Sequence, residues 1–236
     1  MPGERAGSVI GRWFGMDVAQ FELVTERVRS ALRLGGGDLV AATVTCVQAL
    51  PVEHVAILID EPHLGAQPWA CSDEWTAGVE AALSTAGEGP AFEAVAGGEV
   101  VVLTEPARDA DRWPTAATVL RGLPGAMVSV PLTAGPTRLG ALNLYLAPER
   151  WSPALAEVVG EVSELIAAHL LSSNAAPPPT STLIHRAAGA LIAEHGLDTA
   201  DAYARLRREA ADRGSTLADY AGHLVGRGFR AESADR

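Results

Sequence analysis

The 236-residue chain contains no lysine, and its 18 basic side chains are all arginine. Whatever this protein does with positive charge, it does with the planar, permanently charged guanidinium fork. Cysteine is almost as scarce. Cys46 and Cys71 are the only two, which excludes a disulfide framework and fits a reduced, cytoplasmic compartment. No run of about 18 apolar residues occurs, so a helical membrane span is not expected. The opening MPGERAGSVIGRWFG carries Arg5 and Arg12 in a broken apolar stretch and does not read as a signal peptide. Gly35-Gly36-Gly37 fits neither a dinucleotide fingerprint nor a phosphate loop. His54, His63 and Cys71 match no metal-ligand spacing, and no nucleophile–base–acid set is visible. The expectation is therefore a protein with no catalytic residues, no metal and no cofactor.

What is present is an ordinary globular composition, 48% apolar and 20% charged, with room for two domains. The net charge of −11 argues against a general nucleic-acid binder, but it is unevenly spread. Residues 180–236 hold eight arginines against eight carboxylates; residues 1–179 hold ten against 21.

In chain order, residues 1–15 show no periodicity and read as a mobile arm. Val18, Phe21, Val24, Val28 and Leu32 mark one apolar helix face, ended by the three glycines. Asp38 caps a second helix, Leu39 to Leu50, in which Cys46 is a small core residue. His54 to Ile59 is a strand, Glu61 to Gly65 a turn, and Pro68 to Ser72 its return. Trp75 to Thr85 reads as a short helix or an irregular lid. Glu99 to Thr104 is a further strand, and Ala126 to Leu132 with Arg138 to Leu146 form a hairpin. Antiparallel strands with helices before and between them predict an α+β domain over residues 17–173. It closes with a long helix from Trp151 to Ser173, in which Leu155, Val158, Val162, Leu165 and His169 form a heptad-like stripe. Residues 174–180, with three consecutive prolines, read as a semi-rigid spacer. The tail after Gly226 is polar and reads as unstructured.

Between them, residues 181–226 carry three short amphipathic helices separated at Gly196 and Gly214. Asp198 stands at an N-cap position with Asp201 three residues on, and Ser215 or Thr216 stands likewise before Asp219. The second helix bears Arg205, Arg207 and Arg208, with Arg213 just beyond; the first bears His185 and Arg186. Guanidinium groups suit bidentate phosphate contacts and stacking on exposed bases. The competing use is surface charge, with Arg205 and Arg208 paired to Asp201, Glu209 and Asp212.

The pattern Ala187-x-Gly189-x-Leu191, Asp198, Ala202-Tyr203-x-x-Leu206-Arg207-x-x-Ala210 and Leu217-x-x-x-Ala221 resembles an ANTAR domain, a three-helix module that binds RNA hairpins and prevents transcription termination. The resemblance implies RNA-binding roles for His185, Arg186, Arg205, Arg207, Arg208 and Arg213. Where the family usually carries a lysine before the first-helix glycine, this chain has Ala188; where it carries an arginine near that helix's start, this chain has Ser181. Each missing phosphate contact flattens the salt dependence by about one unit of slope. Gly87-Glu88-Gly89-Pro90, Arg112-Trp113-Pro114, Pro131-Leu132 and Leu139-Gly140-Ala141-Leu142-Asn143-Leu144-Tyr145 are similar to the GAF sensor domain that commonly precedes an ANTAR domain. That likeness implies a PAS-like antiparallel sheet flanked by helices, a small-molecule ligand, and a homodimer formed through a helical bundle.

Three readings follow: a sensor-controlled RNA-binding antiterminator; a dimeric protein-interaction module whose C-terminal unit has lost RNA binding; and a methionine-sulfoxide-reducing enzyme, as some GAF-fold proteins are, which requires Cys46 and Cys71 close together and exposed.

Overall fold

The computed structural model describes residues 18–34, 38–173 and 178–234. The N-terminal arm, the three glycines and most of the expected spacer therefore lie outside the described residues.

Five strands form one antiparallel sheet in the order β2-β1-β5-β4-β3. They are β1 (His54–Glu61), β2 (Gly65–Cys71), β3 (Val101–Leu103), β4 (Ala126–Ala134) and β5 (Thr137–Leu146). The two long central strands are buried on both faces, so their apolar residues run on rather than alternate. One face carries Val55, Ile57, Val128, Leu142 and Leu144 into a core with α1 (Val18–Leu34), α2 (Leu39–Ala49) and the long α7 (Pro153–Ser172). The opposite face, with Met127 and Tyr145, is covered by α3 (Glu74–Ala86), α4 (Pro90–Gly97), Ala110 and Trp113 just after the short α5 (Pro106–Asp109), and α6 (Ala117–Arg121). Helix α3 settles the helix-or-lid alternative. Asp73 caps it, its carboxylate accepting from the Thr76 amide at 2.9 Å. Burial raises the Asp73 carboxyl, but hydrogen bonds from Ser72, His54 and Thr76 outweigh it and hold the group well below the usual carboxylate range.

Gly140 lets β5 pass β1: a Cβ there would stand 1.9 Å from the Leu58 carbonyl oxygen. Helix α7 folds onto its own domain, packing against β4 and α1. Leu155, Val158 and Val162 of the expected stripe are buried, but it continues through Val159 and Ile166, and Leu165 and His169 are only half-buried. The reason is that a sheet face accepts a broader apolar band than a coiled-coil seam does.

The C-terminal unit comprises α8 (Pro179–His195), α9 (Thr199–Asp212) and α10 (Leu217–Ala234) around Ile184, Ala187, Leu191, Leu206, Ala210 and Ala221. Helix α10 runs past Gly226, where an unstructured tail was expected. Glycine in a helix costs only about 1 kcal/mol against alanine, and Ala231, Glu232 and Ala234 favour helix. Asp198 caps α9 through the Asp201 amide at 2.8 Å, as the sequence predicts, and of the two candidates Ser215 and Thr216 it is Thr216 that caps α10, through the Asp219 amide at 3.1 Å.

Candidate functional site

The arginines of the C-terminal unit divide into two groups. Arg205, Arg208 and Arg213 belong to the outside. Glu209 gathers two of them: it accepts from Arg205 Nε at 2.8 Å, lies 3.7 Å from Arg213 Nη1, and also accepts from the Tyr220 hydroxyl. The Arg213 guanidinium lies over the Tyr220 ring, 4.7 Å from its centroid. Hydrogen bonds from Tyr220 and Arg205 hold the Glu209 carboxyl below its ordinary range. Arg208 is exposed and makes no hydrogen bond or ion pair among the described residues. Arg186 is exposed on α8. This surface thus offers an unengaged guanidinium at Arg208, and one at Arg205 held at a fixed angle by Glu209.

Arg207 and His185 face the other way, towards the sheet domain. The turn between β1 and β2 reaches into the C-terminal unit like a finger. Its tip, Leu64, is 1% exposed and belongs to the core of the three helices. Its carbonyl oxygen accepts from Arg207 Nη2 at 2.8 Å. Burial lowers the Arg207 pKa, and its Nε is buried without a partner. The same side chain lies across Gly87, where a Cβ would meet Nε at 2.7 Å; Gly87 also needs its positive φ of 72° to end α3. His63 stacks on Tyr203 with 6.1 Å between ring centroids and holds a φ of 67°, a left-handed conformation rare for residues other than glycine.

Glu61, 7% exposed at the base of the finger, anchors the contact. The Ser181 hydroxyl donates to its Oε1 at 2.6 Å, and His185 Nε2 stands 2.9 Å from its Oε2. His185 Nδ1 lies 2.6 Å from the Tyr203 hydroxyl. Nε2 also lies 3.3 Å from the Ser181 hydroxyl, and Glu61 Oε2, though close to it, is buried without a hydrogen-bond partner. On the far side, the Leu217 amide at the start of α10 donates to Thr85 Oγ1 of α3 at 2.8 Å, so the sheet domain supplies a cap for the third helix. Ser181 and Ala188, which replace basic residues of the resembled pattern, are 4% and 1% exposed. Sequence reading misses this finger. An apolar leucine between Pro62 and Gly65 in a turn otherwise bound for solvent is the one clue.

Between the two units lies a cavity of about 270 Å³. Its walls are Gln67, Trp69 and Cys71 of β2; Ala77, Ala81 and Ser84 of α3; and Ser181, Ile184, Leu217 and Ala218 from the helical unit. Inside the sheet domain, Glu80 is fully buried, accepting from Asn143 Nδ2 and the Tyr145 hydroxyl at 2.7 Å each. Burial, outweighing those two bonds, pushes its carboxyl up to about 7, and its second oxygen is buried without a partner. The Cys46 and Cys71 thiols are both pushed up to about 12, chiefly by burial, with Cys46 in the core and Cys71 half-buried. Neither has the lowered pKa of a reactive thiol. Among the described residues no cluster of His, Cys, Asp or Glu forms a metal site, and no helix is long and apolar enough to cross a membrane.

Comparison with known proteins gives two family matches in succession: the GAF domain model over residues 39–170 and the ANTAR domain model over residues 179–225. Among solved structures, the chain is similar to the GAF domain of an Acinetobacter phosphoenolpyruvate-protein phosphotransferase. The two share 16% identity with a TM-score of 0.51, covering 69% of this chain and 96% of that one. It is also similar to the nlh2 GAF domain of A. aeolicus, at 15% identity and a TM-score of 0.50, covering 66% and 98%. A free methionine-R-sulfoxide reductase from Neisseria meningitidis matches at 19% identity and a TM-score of 0.48, covering 66% and 90%. At such identities the first two likenesses concern the fold alone, and the third carries no argument. No curated protein matches.

Proposed function

Since this chain belongs to the GAF family and carries an ANTAR domain directly behind its sensor domain, we propose that it is a signal-responsive RNA-binding regulator acting in transcription antitermination. The observation that carries the reading is the division of the arginines. Arg186, Arg205, Arg208 and Arg213 lie on the outside of the ANTAR domain, where an RNA hairpin meets phosphate-seeking guanidinium groups. Arg207 and His185 are engaged by the sensor's finger. Undocking the finger frees Arg207 and His185 for contact with RNA beside that surface, so the sensor controls RNA affinity by holding part of the binding set. The reading places the protein in the cytoplasm and gives the GAF domain a small-molecule ligand.

Exposed apolar residues support a homodimer. Leu23 of α1 and Leu171 of α7 are 58% and 61% exposed, and both helices cover the same face of the sheet. Two ANTAR domains on one dimer suit a paired hairpin target, with a gain in avidity.

The test is a gel shift of the full chain with tandem RNA hairpins at low salt. Binding is expected, with Arg208→Glu weakening it and flattening the salt dependence by about one unit of slope. No shift at low salt with any tandem hairpin would defeat the proposal. The second reading, a dimeric interaction module without RNA affinity, draws on Ser181 and Ala188. Both are buried where the resembled pattern places cations, and Ser181 is spent on Glu61.

A further inference from the structure

We propose that the cavity between the two domains binds a small, uncharged, planar molecule, and that its occupant locks the ANTAR domain onto the sensor. The regulatory half of this inference rests on the RNA-binding reading above; the binding site itself does not.

The chemistry of the walls selects the ligand class. No acidic, basic or histidine side chain lines the cavity. Three of the polar side chains that do are already committed, while the exposed Thr180 hydroxyl and the Cys71 thiol make no hydrogen bond among the described residues. The Ser84 hydroxyl donates to Gln67 Oε1 at 2.7 Å, Gln67 Nε2 donates to the Leu64 and Ala66 carbonyls, and the Ser181 hydroxyl donates to Glu61. A charged ligand would lose its hydration here and find no counter-ion, a cost of several kcal/mol. The two serine oxygens keep lone pairs, so one N–H or O–H on the ligand finds an acceptor. Trp69 offers a flat apolar surface, and Ile184, Leu217 and the alanines close the rest. About 270 Å³ stands just below the usual range for ligand sites, which suits one ring or two fused rings.

The position of the cavity sets the sign of the effect. One wall belongs to β2 and α3, the other to α8 and α10, so the complete site exists only while the domains are docked. A ligand that binds one state and not the other shifts the equilibrium towards the first. The docked state is also the one in which the Leu64 carbonyl holds Arg207. The occupant therefore withdraws Arg207 from RNA and acts as a negative effector.

Indole serves as the probe, followed by amide NMR on the full chain. Saturable shifts are expected at Trp69 and Ser84 on one wall and at Ile184 and Leu217 on the other. Ala81→Phe and Ala218→Phe fill the cavity from opposite sides and should each abolish the shifts with unchanged circular dichroism. Shifts confined to one wall, shifts elsewhere, or none at millimolar indole would overturn the site; if a filled variant fails to fold, the wild-type map decides alone. With indole at ten times its Kd, RNA affinity should fall about tenfold; an unchanged or increased affinity overturns the regulatory half. A chain that binds no RNA with or without indole contradicts the proposed function, while the amide map still decides the site.

Discussion

Glu80 is a carboxyl held by Asn143 and Tyr145 at the heart of the sensor domain. Its ordinary value is 4.5 and its folded value about 7. The protonated form is favoured on folding, so its contribution is intact below about pH 4.5 and is lost as the pH rises through 7. Glu80→Gln cannot ionise. Urea unfolding at pH 5 and pH 8 should show the wild type losing about 3 kcal/mol relative to the variant across that interval; parallel pH dependences would show that Glu80 is not the titrating group. Gly140 makes a second claim at this scale. A methyl group there would stand 1.9 Å from the Leu58 carbonyl oxygen, so β5 must part from β1. Gly140→Ala should cost at least the upper end of the ~1–3 kcal/mol typical of overpacking, read from the denaturation midpoint. The sequence shows the glycine and its motif, but not the reason for it. Close approach of two strands is a tertiary property that no local pattern carries.

At the scale of elements, helices and strands were largely legible because burial imposes their periods. Val24, Val28 and Leu32 of α1 are buried as read, Asp38 and Asp198 cap as read, and Thr216 rather than Ser215 caps α10. Helix α7 and most of its buried face, Leu155, Val158 and Val162, were legible; Leu165 and His169 are only half-buried, since packing on a sheet and packing on a second helix differ by a slight rotation of the apolar stripe. The turn at Glu61–Gly65 was legible as a turn; its use as a finger was not, because its partners lie more than 100 residues away at Ser181, Tyr203 and Arg207. For the outer helices, the double variant Leu23→Glu with Leu171→Glu should convert a dimer to a monomer in light scattering. Stability should change by no more than about 0.5 kcal/mol, because both side chains are exposed. A dimer that survives both changes would place the interface elsewhere.

Across the whole molecule, charge and topology act together. The acidic excess of −11 lies entirely in residues 1–179, so a docked sensor brings net negative charge beside the arginines of the neutral C-terminal part. On the proposed function, docking opposes RNA twice, through the Leu64 carbonyl on Arg207 and through the field of the sensor's carboxylates within a Debye length of about 8 Å. Six RNA-binding residues were expected from the sequence, and the division among them was not readable there. Arg205, Arg207 and Arg208 are near neighbours on one helix, and only the position of the other domain decides which face is covered. The most direct test of sensor control is the RNA affinity of the full chain with and without the finger's hold, using Glu61→Ala combined with Leu64→Ala against the same tandem hairpin at fixed salt. The released variant should bind at least about tenfold tighter, equivalent to about 1.4 kcal/mol. Equal or weaker binding by a variant that remains folded would contradict sensor control.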